Sequence, residues 1–288
     1  MRRVAAEVYM AVESINNQSE RNQSRARQLA VVTGASTGIG FCLAQEFATH
    51  GFDVVMAADE ERVRESARQI ESLGAKVYPV QVDLSREAEV EKLWREVEAT
   101  GRPVDAIAIN AGIGTAGEFA DETDLQTELK LIDLNVRSTV HLAKLASRQM
   151  KARGAGRILI TASIAGTMPT PQMAVYGASK AFDLEFAQSL RYELKDTGVT
   201  VTALKPGATD TEFFNRAHME DTKLGSKGKE SNDPADVAKQ GFEALMAGEQ
   251  EVFAESMSTK AAGVLGRFMP DSVKASQHEK MAKHGSGE

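Results

Sequence analysis

A tyrosine and a lysine stand four residues apart in the short stretch YGASK, at Tyr176 and Lys180. On a helix, residues at i and i+4 share one face, so both side chains would project the same way. An ammonium group at about 4 Å favours an ionised phenol by roughly 4 kcal/mol at an effective dielectric of ~20. That energy is enough to lower a phenol pKa by about three units, to near 7. The pair therefore predicts a proton donor and acceptor, although Tyr-x-x-x-Lys also arises by chance in ordinary helices.

A glycine-rich stretch, TGASTGIG, joins the first apolar run to the first amphipathic one. Its glycines follow the spacing G-x-x-x-G-x-G, a variant of the dinucleotide fingerprint. Glycine allows a tight turn, close approach of the backbone to a pyrophosphate and a helix N-terminus facing that anion. We therefore expect a dinucleotide here. The predicted contacts are Gly34, Ser36, Thr37, Gly38, Ile39 and Gly40.

Asp59 follows the second apolar run and is the candidate reader of the adenosine ribose. A carboxylate there accepts a hydrogen bond from a ribose 2′-hydroxyl and repels a 2′-phosphate. Thr37 brings no positive charge to such a phosphate either. Both features favour NAD over NADP. The alternative is that Asp59 only supports the start of the helix that follows it.

The elements that must position these residues are short apolar runs alternating with amphipathic segments. Six runs read as strands, LAVVTG, DVVMAA, KVYPVQVDL, DAIAINAG, RILITAS and VTVTALKPG, and EVFAES is a candidate seventh. One helix should bury Val63, Ile70 and Leu73, one long helix should cover about 125–153, and another about 175–195. Alternation of this kind predicts an α/β fold, a Rossmann-type doubly wound parallel sheet of about seven strands with helices on both faces.

Three segments follow from this reading of the chain. Residues 29–255 should form a single dinucleotide-binding and catalytic domain, since no linker or repeat divides them. Residues 1–28 form a mobile N-terminal extension, read as a short amphipathic helix on a tether, a disordered segment or an anchor. Glu7 and Glu13 interrupt its apolar stretch, so we do not expect a secretory signal there. Residues 256–288 form a partly helical, surface-bound C-terminal tail.

Composition narrows the function further. The 288 residues carry a net charge of −7, which argues against a nucleic-acid partner. Cys42 is the single cysteine, so a disulfide within the chain and a cysteine-based metal site are excluded, and a reducing cytoplasmic location is expected. The five histidines show no metal-ligand spacing, so we expect no metal. No apolar run approaches the length of a membrane span, so we expect no membrane partner.

The motifs taken together resemble those of the short-chain dehydrogenase/reductase family, in its compact single-domain branch. They occur in the family's order, from about Leu29 to Thr211. The matches are TGASTGIG, then VDL at 82–84, NAG at 110–112, DLNVRS around Asn135, TAS ending at Ser163, YGASK, and PGATDT at 206–211.

The resemblance implies roles for residues that spacing alone does not assign. It implies a catalytic tetrad of Asn135, Ser163, Tyr176 and Lys180, in which Asn135 holds a water of a proton relay ending at Lys180. It also implies further cofactor contacts. These are Asp83 and Leu84 at the adenine, Asn110, Ala111 and Gly112 at the adenosine ribose, Tyr176 and Lys180, and Pro206, Gly207, Thr209 and Thr211 at the nicotinamide.

The implied activity is that of an NAD(P)-dependent oxidoreductase, which interconverts a secondary alcohol and a ketone, or an aldehyde, by hydride transfer. The alternative is a non-catalytic dinucleotide sensor on the same fold, which would have little need of the tetrad. The family's usual NAD-selecting acid falls one position earlier, where this chain has Ala58, so NAD is favoured by Asp59 and Thr37 and not by the family's usual acid. The tail lacks the ending with which many tetrameric relatives pair subunits, which leaves a homodimer and a homotetramer open.

The substrate should be a small molecule with an apolar body, held between two stretches of the chain. The predicted apolar wall is Met168, Met173, Phe213, Phe214 and Met219, for each of which ordinary packing is the alternative. Residues 209–234 follow the sixth strand and are expected to form a mobile lid over the substrate.

Overall fold

A seven-stranded parallel sheet forms the centre of the computed structural model, which describes residues 27–225, 232–254 and 270–287. The strands run in the order β3-β2-β1-β4-β5-β6-β7, and every neighbouring pair is parallel. They are β1 Gln28–Thr33, β2 Phe52–Ala58, β3 Val77–Gln81, β4 Ala106–Ile109, β5 Gly156–Thr161, β6 Val199–Pro206 and β7 Glu251–Ala254. The predicted doubly wound α/β fold is therefore confirmed. Most of the predicted N-terminal extension lies outside the described residues.

Helices follow almost every strand. They are α1 Gly38–Thr49, α2 Val63–Glu71, α3 Glu87–Ala99, α4 Leu125–Ile132, α5 Ser138–Arg153, α6 Ala174–Leu194, α7 Phe213–Arg216, α8 Pro234–Ala247 and α9 Asp271–Ala282. A π-helical turn, Asp133–Arg137, joins α4 to α5, and a 3₁₀ turn, Ile164–Thr167, follows β5. None of the described helices is long and apolar enough to cross a membrane.

Two hydrophobic cores lie on opposite faces of the sheet. Successive strand residues point to opposite faces, so Val31 belongs to one core and Val32 to the other. Leu93 of α3, Leu142 of α5 and Leu184 of α6 pack on the first face. The second face is covered by α1, α2 and α8, where the rings of Phe47 and Phe242 meet edge to face at 5.3 Å. Burial on both faces explains why the strands are near-continuous apolar runs.

The structure departs from the predicted helices at two places. The helix predicted over about 125–153 is divided, because the π-helical turn inserts an extra residue between α4 and α5. Leu73, predicted to face the core, is 40% exposed. The reason is that α2 ends at Glu71, so Leu73 lies in the turn that leads to Gly74, whose φ is +85°.

The strand order reverses between β1 and β4, and polar contacts join the two strand ends there. The Thr33 hydroxyl oxygen accepts hydrogen bonds from the backbone N–H groups of Asn110 at 2.9 Å and Ala111 at 3.0 Å. The Asn110 amide donates in return to the Thr33 carbonyl at 3.1 Å. Open α/β sheets place ligands in the crevice at such a reversal. The fold therefore brings the glycine loop and the NAG segment to one edge.

Candidate active site

A cavity of about 340 Å³ opens at the carboxyl edge of the sheet, within the usual size range of ligand sites. It gathers residues from segments that are far apart in the sequence. All of the predicted cofactor and catalytic residues except Asn135 line it: Gly34, Ser36, Thr37, Gly38, Ile39, Gly40, Asp59, Asp83, Leu84, Asn110, Ala111, Gly112, Ser163, Tyr176, Lys180, Pro206, Gly207, Thr209 and Thr211.

The glycine loop has the shape that a pyrophosphate needs. Gly34 and Gly38 have φ angles of +64° and +57°, which side-chain-bearing residues rarely adopt. Gly40 has an ordinary φ, but a Cβ there would lie 2.1 Å from the carbonyl oxygen of Gly34. α1 begins at Gly38 with no side-chain cap on its N-terminal N–H groups, which leaves them for an anion. These residues fit a dinucleotide.

The adenosine end of the cavity is bordered by acidic groups. Asp59 directly follows β2 and is exposed, and its carboxylate makes no hydrogen bond or ion pair among the described residues. It does not cap α2, whose N-terminal cap position is Arg62. Glu60 pairs with Arg216 of α7 at 2.6 Å, so the segment after β6 reaches across this end of the cavity. The sequence alone did not indicate this ion pair.

Asp83 lies at the same end and is held ionised. Burial opposes ionisation, but hydrogen bonds from the hydroxyl and backbone N–H of Ser85, with the charges of Lys130 and Arg86, lower the pKa of Asp83. The Ser85 hydroxyl donates to Asp83 Oδ1 at 2.7 Å, and Lys130 Nζ lies 3.8 Å from Oδ2. An ionised Asp83 is a hydrogen-bond acceptor, as an adenine amino group requires.

Tyr176 and Lys180 project from the first turns of α6, and a third residue joins them. Lys180 Nζ donates to the Thr161 carbonyl at 2.8 Å and to Asp183 Oδ2 at 3.0 Å. Lys180 is 5% exposed and Asp183 is 1% exposed. The sequence reading missed Asp183, although its position three residues after Lys180 places it on the same helix face.

The surrounding protein raises the pKa of Tyr176, whereas the Tyr176–Lys180 pair by itself predicts a lowered pKa. Burial raises the pKa of Tyr176, and the Asp183 charge adds to this. Lys180 and a hydrogen bond with Ser163 lower that pKa but do not outweigh the burial. The sequence-based expectation counted one cation and omitted both the desolvation and the carboxylate paired with that cation.

Ser163 and Asn135 approach Tyr176 and Lys180 from two other elements. Ser163 follows β5 and begins the 3₁₀ turn, and its hydroxyl accepts from the Ala165 N–H at 3.1 Å. Asn135, 0% exposed, lies in the π-helical turn. Its amide accepts from the Ile113 N–H at 3.0 Å and donates to the Ile113 carbonyl at 3.0 Å and to the Ser179 hydroxyl at 3.1 Å.

All of the Asn135 amide hydrogens are therefore used within the protein. Its hydrogen-bond partners are on the segment after β4 and on α6, so the side chain ties these two elements together. Gly112 lies between it and Lys180, since a Cβ on Gly112 would be 3.3 Å from Asn135 Oδ1 and 3.5 Å from Lys180 Nζ. A positioning role for Asn135 agrees with these contacts.

An apolar wall surrounds Tyr176. Met168, Met173, Phe213 and Phe214 line the cavity, as the sequence predicts. The rings of Tyr176 and Phe213 are 5.2 Å apart, and Phe213 packs so closely on Gly114 that a Cβ there would lie 2.5 Å from the ring. Met219, also predicted in the wall, is instead fully buried behind it and does not line the cavity. The prediction failed there because sequence does not show on which side of α7 the chain turns back.

The C-terminal helix α9 packs over the cavity and forms part of its wall, which the sequence did not indicate. His278 and Met281 of α9 line the cavity, and the Leu224 N–H donates to the Met281 carbonyl at 3.2 Å. His278 Nδ1 lies 3.0 Å from the Pro171 carbonyl, so this nitrogen carries the hydrogen. Burial lowers the pKa of His278, which makes its ring neutral near pH 7 and leaves Nε2 as an acceptor. Among the described residues, no group of histidine, cysteine and carboxylate side chains could hold a metal.

Comparison with known proteins agrees with this geometry. Residues 28–221 match the family model described as short chain dehydrogenase. A short chain dehydrogenase from Pseudocercospora fijiensis is 35% identical over 197 residues, which are 67% of this chain and 64% of that protein.

Two solved structures show the same fold with cofactor bound. One is a short-chain dehydrogenase from Sphingobium yanoikuyae in complex with NADPH (26% identity, TM-score 0.74, covering 84% of this chain and 96% of that one). The other is a short chain dehydrogenase/reductase from Burkholderia phymatum in complex with NAD (25% identity, TM-score 0.72, covering 83% and 92%). Fold, cavity and sequence similarity are together those of the short-chain dehydrogenase class of oxidoreductases. The chain belongs to the short-chain dehydrogenase/reductase family.

Proposed function

We propose that this protein interconverts a secondary alcohol and a ketone, or an aldehyde, with NAD favoured over NADP. The observation that carries the proposal is the buried Tyr176 phenol, which shares one cavity with Ser163, Lys180 and the glycine loop. A bound nicotinamide supplies or accepts the hydride, and the protein supplies position and charge.

Each side chain of the tetrad has a separate task in this proposal. Tyr176 gives a proton to the substrate oxygen during reduction and takes it back during oxidation. Ser163 donates a hydrogen bond to the same oxygen and stabilises the charge that develops there. Lys180, anchored on Thr161, holds a positive charge near the phenol. Asn135 fixes the segment after β4 against α6 through its three amide hydrogen bonds.

NAD is favoured because the adenosine end of the cavity is acidic. Asp59 and Glu60 both line it, and a 2′-phosphate would meet their carboxylates. The cations at this end are each beside a carboxylate: Glu60 engages the Arg216 guanidinium at 2.6 Å, and Asp83 lies 3.8 Å from Lys130 Nζ. An NAD ribose with two free hydroxyls would instead find an acceptor in Asp59.

The substrate has an apolar body in this proposal and carries a hydrogen-bond donor away from its carbonyl. Met168, Met173, Phe213 and Phe214 supply the apolar wall. His278 also lines the cavity, and its Nε2 is the ring nitrogen that the Pro171 carbonyl does not engage. A cytoplasmic location suits the single, half-buried Cys42.

We further propose that the chain pairs with copies of itself, as a homodimer or within a homotetramer. The support is a group of exposed large apolar side chains on and beside α4 and α6, which a monomer would leave in water. They are Phe119, Leu125, Leu129, Ile132 and Phe182. Light scattering at several protein concentrations tests this, and a monomer at all of them contradicts it.

The activity is tested with a panel of apolar ketones and their alcohols, following reduced nicotinamide absorbance with each cofactor. Tyr176→Phe should lower kcat by at least ~100-fold while cofactor binding is unchanged, because only the hydroxyl is removed. Tyr192→Phe is the matched control, since Tyr192 is an exposed residue near the end of the same helix. Equal activity of the parent and the Tyr176 variant would overturn the proposed role of Tyr176.

A further inference from the structure

Asp183 is a carboxylate buried beside the Tyr176–Lys180 pair. It follows Tyr176 by seven residues and Lys180 by three, which places all three side chains on one face of α6. Its Oδ2 lies 3.0 Å from Lys180 Nζ, whereas Oδ1 is buried and has no hydrogen-bond partner among the described residues. Burying a carboxylate with an unsatisfied oxygen is costly, so Asp183 calls for an explanation beyond packing.

The first effect of Asp183 is to hold Lys180 in place. An ammonium group has three donors. The Thr161 carbonyl takes one at 2.8 Å and Asp183 takes a second, so the ammonium is fixed from the end of β5 and from α6 itself. The remaining side of Nζ faces Gly112, where a Cβ would be only 3.5 Å away. Lys180 is therefore oriented before any ligand binds.

The second effect concerns charge. A cation beside the phenol favours tyrosinate, and a carboxylate paired with that cation opposes this. Seven residues along a helix correspond to a distance of about 10 Å. At that distance, with an effective dielectric of ~20, one negative charge raises a phenol pKa by about one unit. The raised pKa of Tyr176, caused first by burial and in part by Asp183, agrees with this direction.

The other ionisable groups that line the cavity do not supply the negative charge that Asp183 places beside Lys180. On α4, Lys130 lies 3.8 Å from Asp83 and faces the adenosine end. On α9, burial lowers the pKa of His278 and keeps it neutral. Asn135 of the π-helical turn and Ser163 after β5 are uncharged. The remaining charged groups that line the cavity are Asp59, Glu60, Glu212 and Arg216, of which Glu60 and Arg216 pair with each other.

We propose that Asp183 is a positioning residue that holds Lys180 and keeps the site prepared for carbonyl reduction. This inference depends on the proposed function. In reduction, a bound reduced nicotinamide would supply hydride to the carbonyl carbon, and the Tyr176 hydroxyl would give its proton to the carbonyl oxygen. The products are an alcohol, the oxidised cofactor and a tyrosinate, which regains its proton from solvent. Tyr176 must start protonated in this direction, and the charge of Asp183 favours that form.

The test compares pH profiles of kcat/KM in both directions for the parent and three variants. In Asp183→Asn, the limb that reports ionisation of Tyr176 should move to lower pH by about one unit. Asp183→Glu keeps the charge and should return the limb towards the parent value. Glu185→Gln removes an exposed charge from the same helix and should leave the profile unchanged. A purely structural role would lower activity at every pH without moving the limb.

A second measurement needs no change at Asp183 and tests the premise of the inference, a Tyr176 phenol that stays protonated, even if Asp183→Asn does not fold. The ultraviolet difference between the parent and Tyr176→Phe reports the titration of the Tyr176 phenol. Without cofactor, the phenol should ionise above the range of an ordinary tyrosine. An unmoved limb in a folded Asp183→Asn protein, or a phenol that ionises below about pH 8, would overturn the inference. A parent that turns over no carbonyl or alcohol in either direction would instead refute the proposed function.

Discussion

Gly40→Ala is the substitution for which the structure makes the sharpest prediction. The added Cβ would lie 2.1 Å from the Gly34 carbonyl oxygen and 2.6 Å from the Asn110 amide nitrogen. Ordinary carbon contacts are near 3.5 Å, so α1 would have to withdraw from the loop by more than about 1 Å. The loop cannot move away instead, because Gly34 is itself packed against Ala111. A Cβ added to Gly34 would lie 3.0 Å from the Cα of Ala111.

A displacement of this size moves the helix N-terminus away from the cofactor. We expect a loss of about 100-fold in kcat/KM, the effect typical of a 1 Å misplacement. Overpacking of this kind also costs about 1–3 kcal/mol of stability, which lowers Tm by several degrees. The assays are cofactor titration by reduced nicotinamide fluorescence, steady-state kinetics and thermal unfolding.

Gly74→Ala is the control that separates steric overlap from backbone strain. Gly74 has a φ of +85°, but a Cβ there meets no atom within 4 Å. Alanine at this φ costs about 1–2 kcal/mol, so Tm should fall while kcat/KM and cofactor affinity stay at parent values. If Gly40→Ala folds and binds cofactor within about threefold of the parent, close packing of the glycine loop is not what cofactor binding requires.

Three further predictions concern selectivity, substrate and acid stability. Asp59→Arg should raise the NADP to NAD ratio of kcat/KM at least tenfold, since it replaces a repulsive charge by a phosphate partner; a parent that already prefers NADP contradicts the reasoning. Phe213→Ala should raise KM for apolar ketones about tenfold at unchanged cofactor affinity. Phe182→Ala, at an exposed position, should leave KM unchanged. If the two variants raise KM equally, Phe213 does not form part of the substrate wall. The third prediction concerns Asp53. Burial opposes ionisation of its carboxyl group, but the hydrogen bond and ion pair with Arg102 at 2.6 Å outweigh the burial and lower the pKa of Asp53. A lowered pKa means a contribution that is fully present above the ordinary carboxyl pKa and is lost only as pH falls through the lower pKa of the folded protein. Asp53→Asn should therefore cost about 2 kcal/mol of stability at pH 7 and progressively less as the pH falls below the ordinary carboxyl range; a pH-independent difference in chemical unfolding would contradict this.

The fold could be predicted because its signals are local and repeated. Each strand is a short apolar run buried on both faces, and a glycine or a helical period follows most of them. The cofactor end of the site could be predicted for a related reason. Gly34 and Gly38 need a backbone conformation that glycine adopts readily, so their spacing carries the geometry of the turn. The domain boundaries at 29 and 255 remain predictions.

Other features left a local signal that spacing alone could not interpret. Asn135 stands in the middle of a predicted helix, where asparagine is unfavourable. The reason is visible only in the structure, where the π-helical turn directs its amide to the Ile113 backbone. Asp183 lies on the same helical face as Tyr176, but the sequence does not show that this face is buried.

Tyr176 shows most clearly what the sequence determined and what it left to the tertiary structure. The sequence determined which groups could exchange a proton, because residues four apart on a helix must be neighbours. Only the tertiary structure decided the direction of the phenol pKa, because desolvation depends on everything that packs around the ring. It also decided that α9 closes the cavity and places His278 there, since the docking of a distant segment depends on surfaces that no local pattern records. Local pattern thus determined the chemistry available, and packing between distant segments decided the electrostatic environment in which it operates.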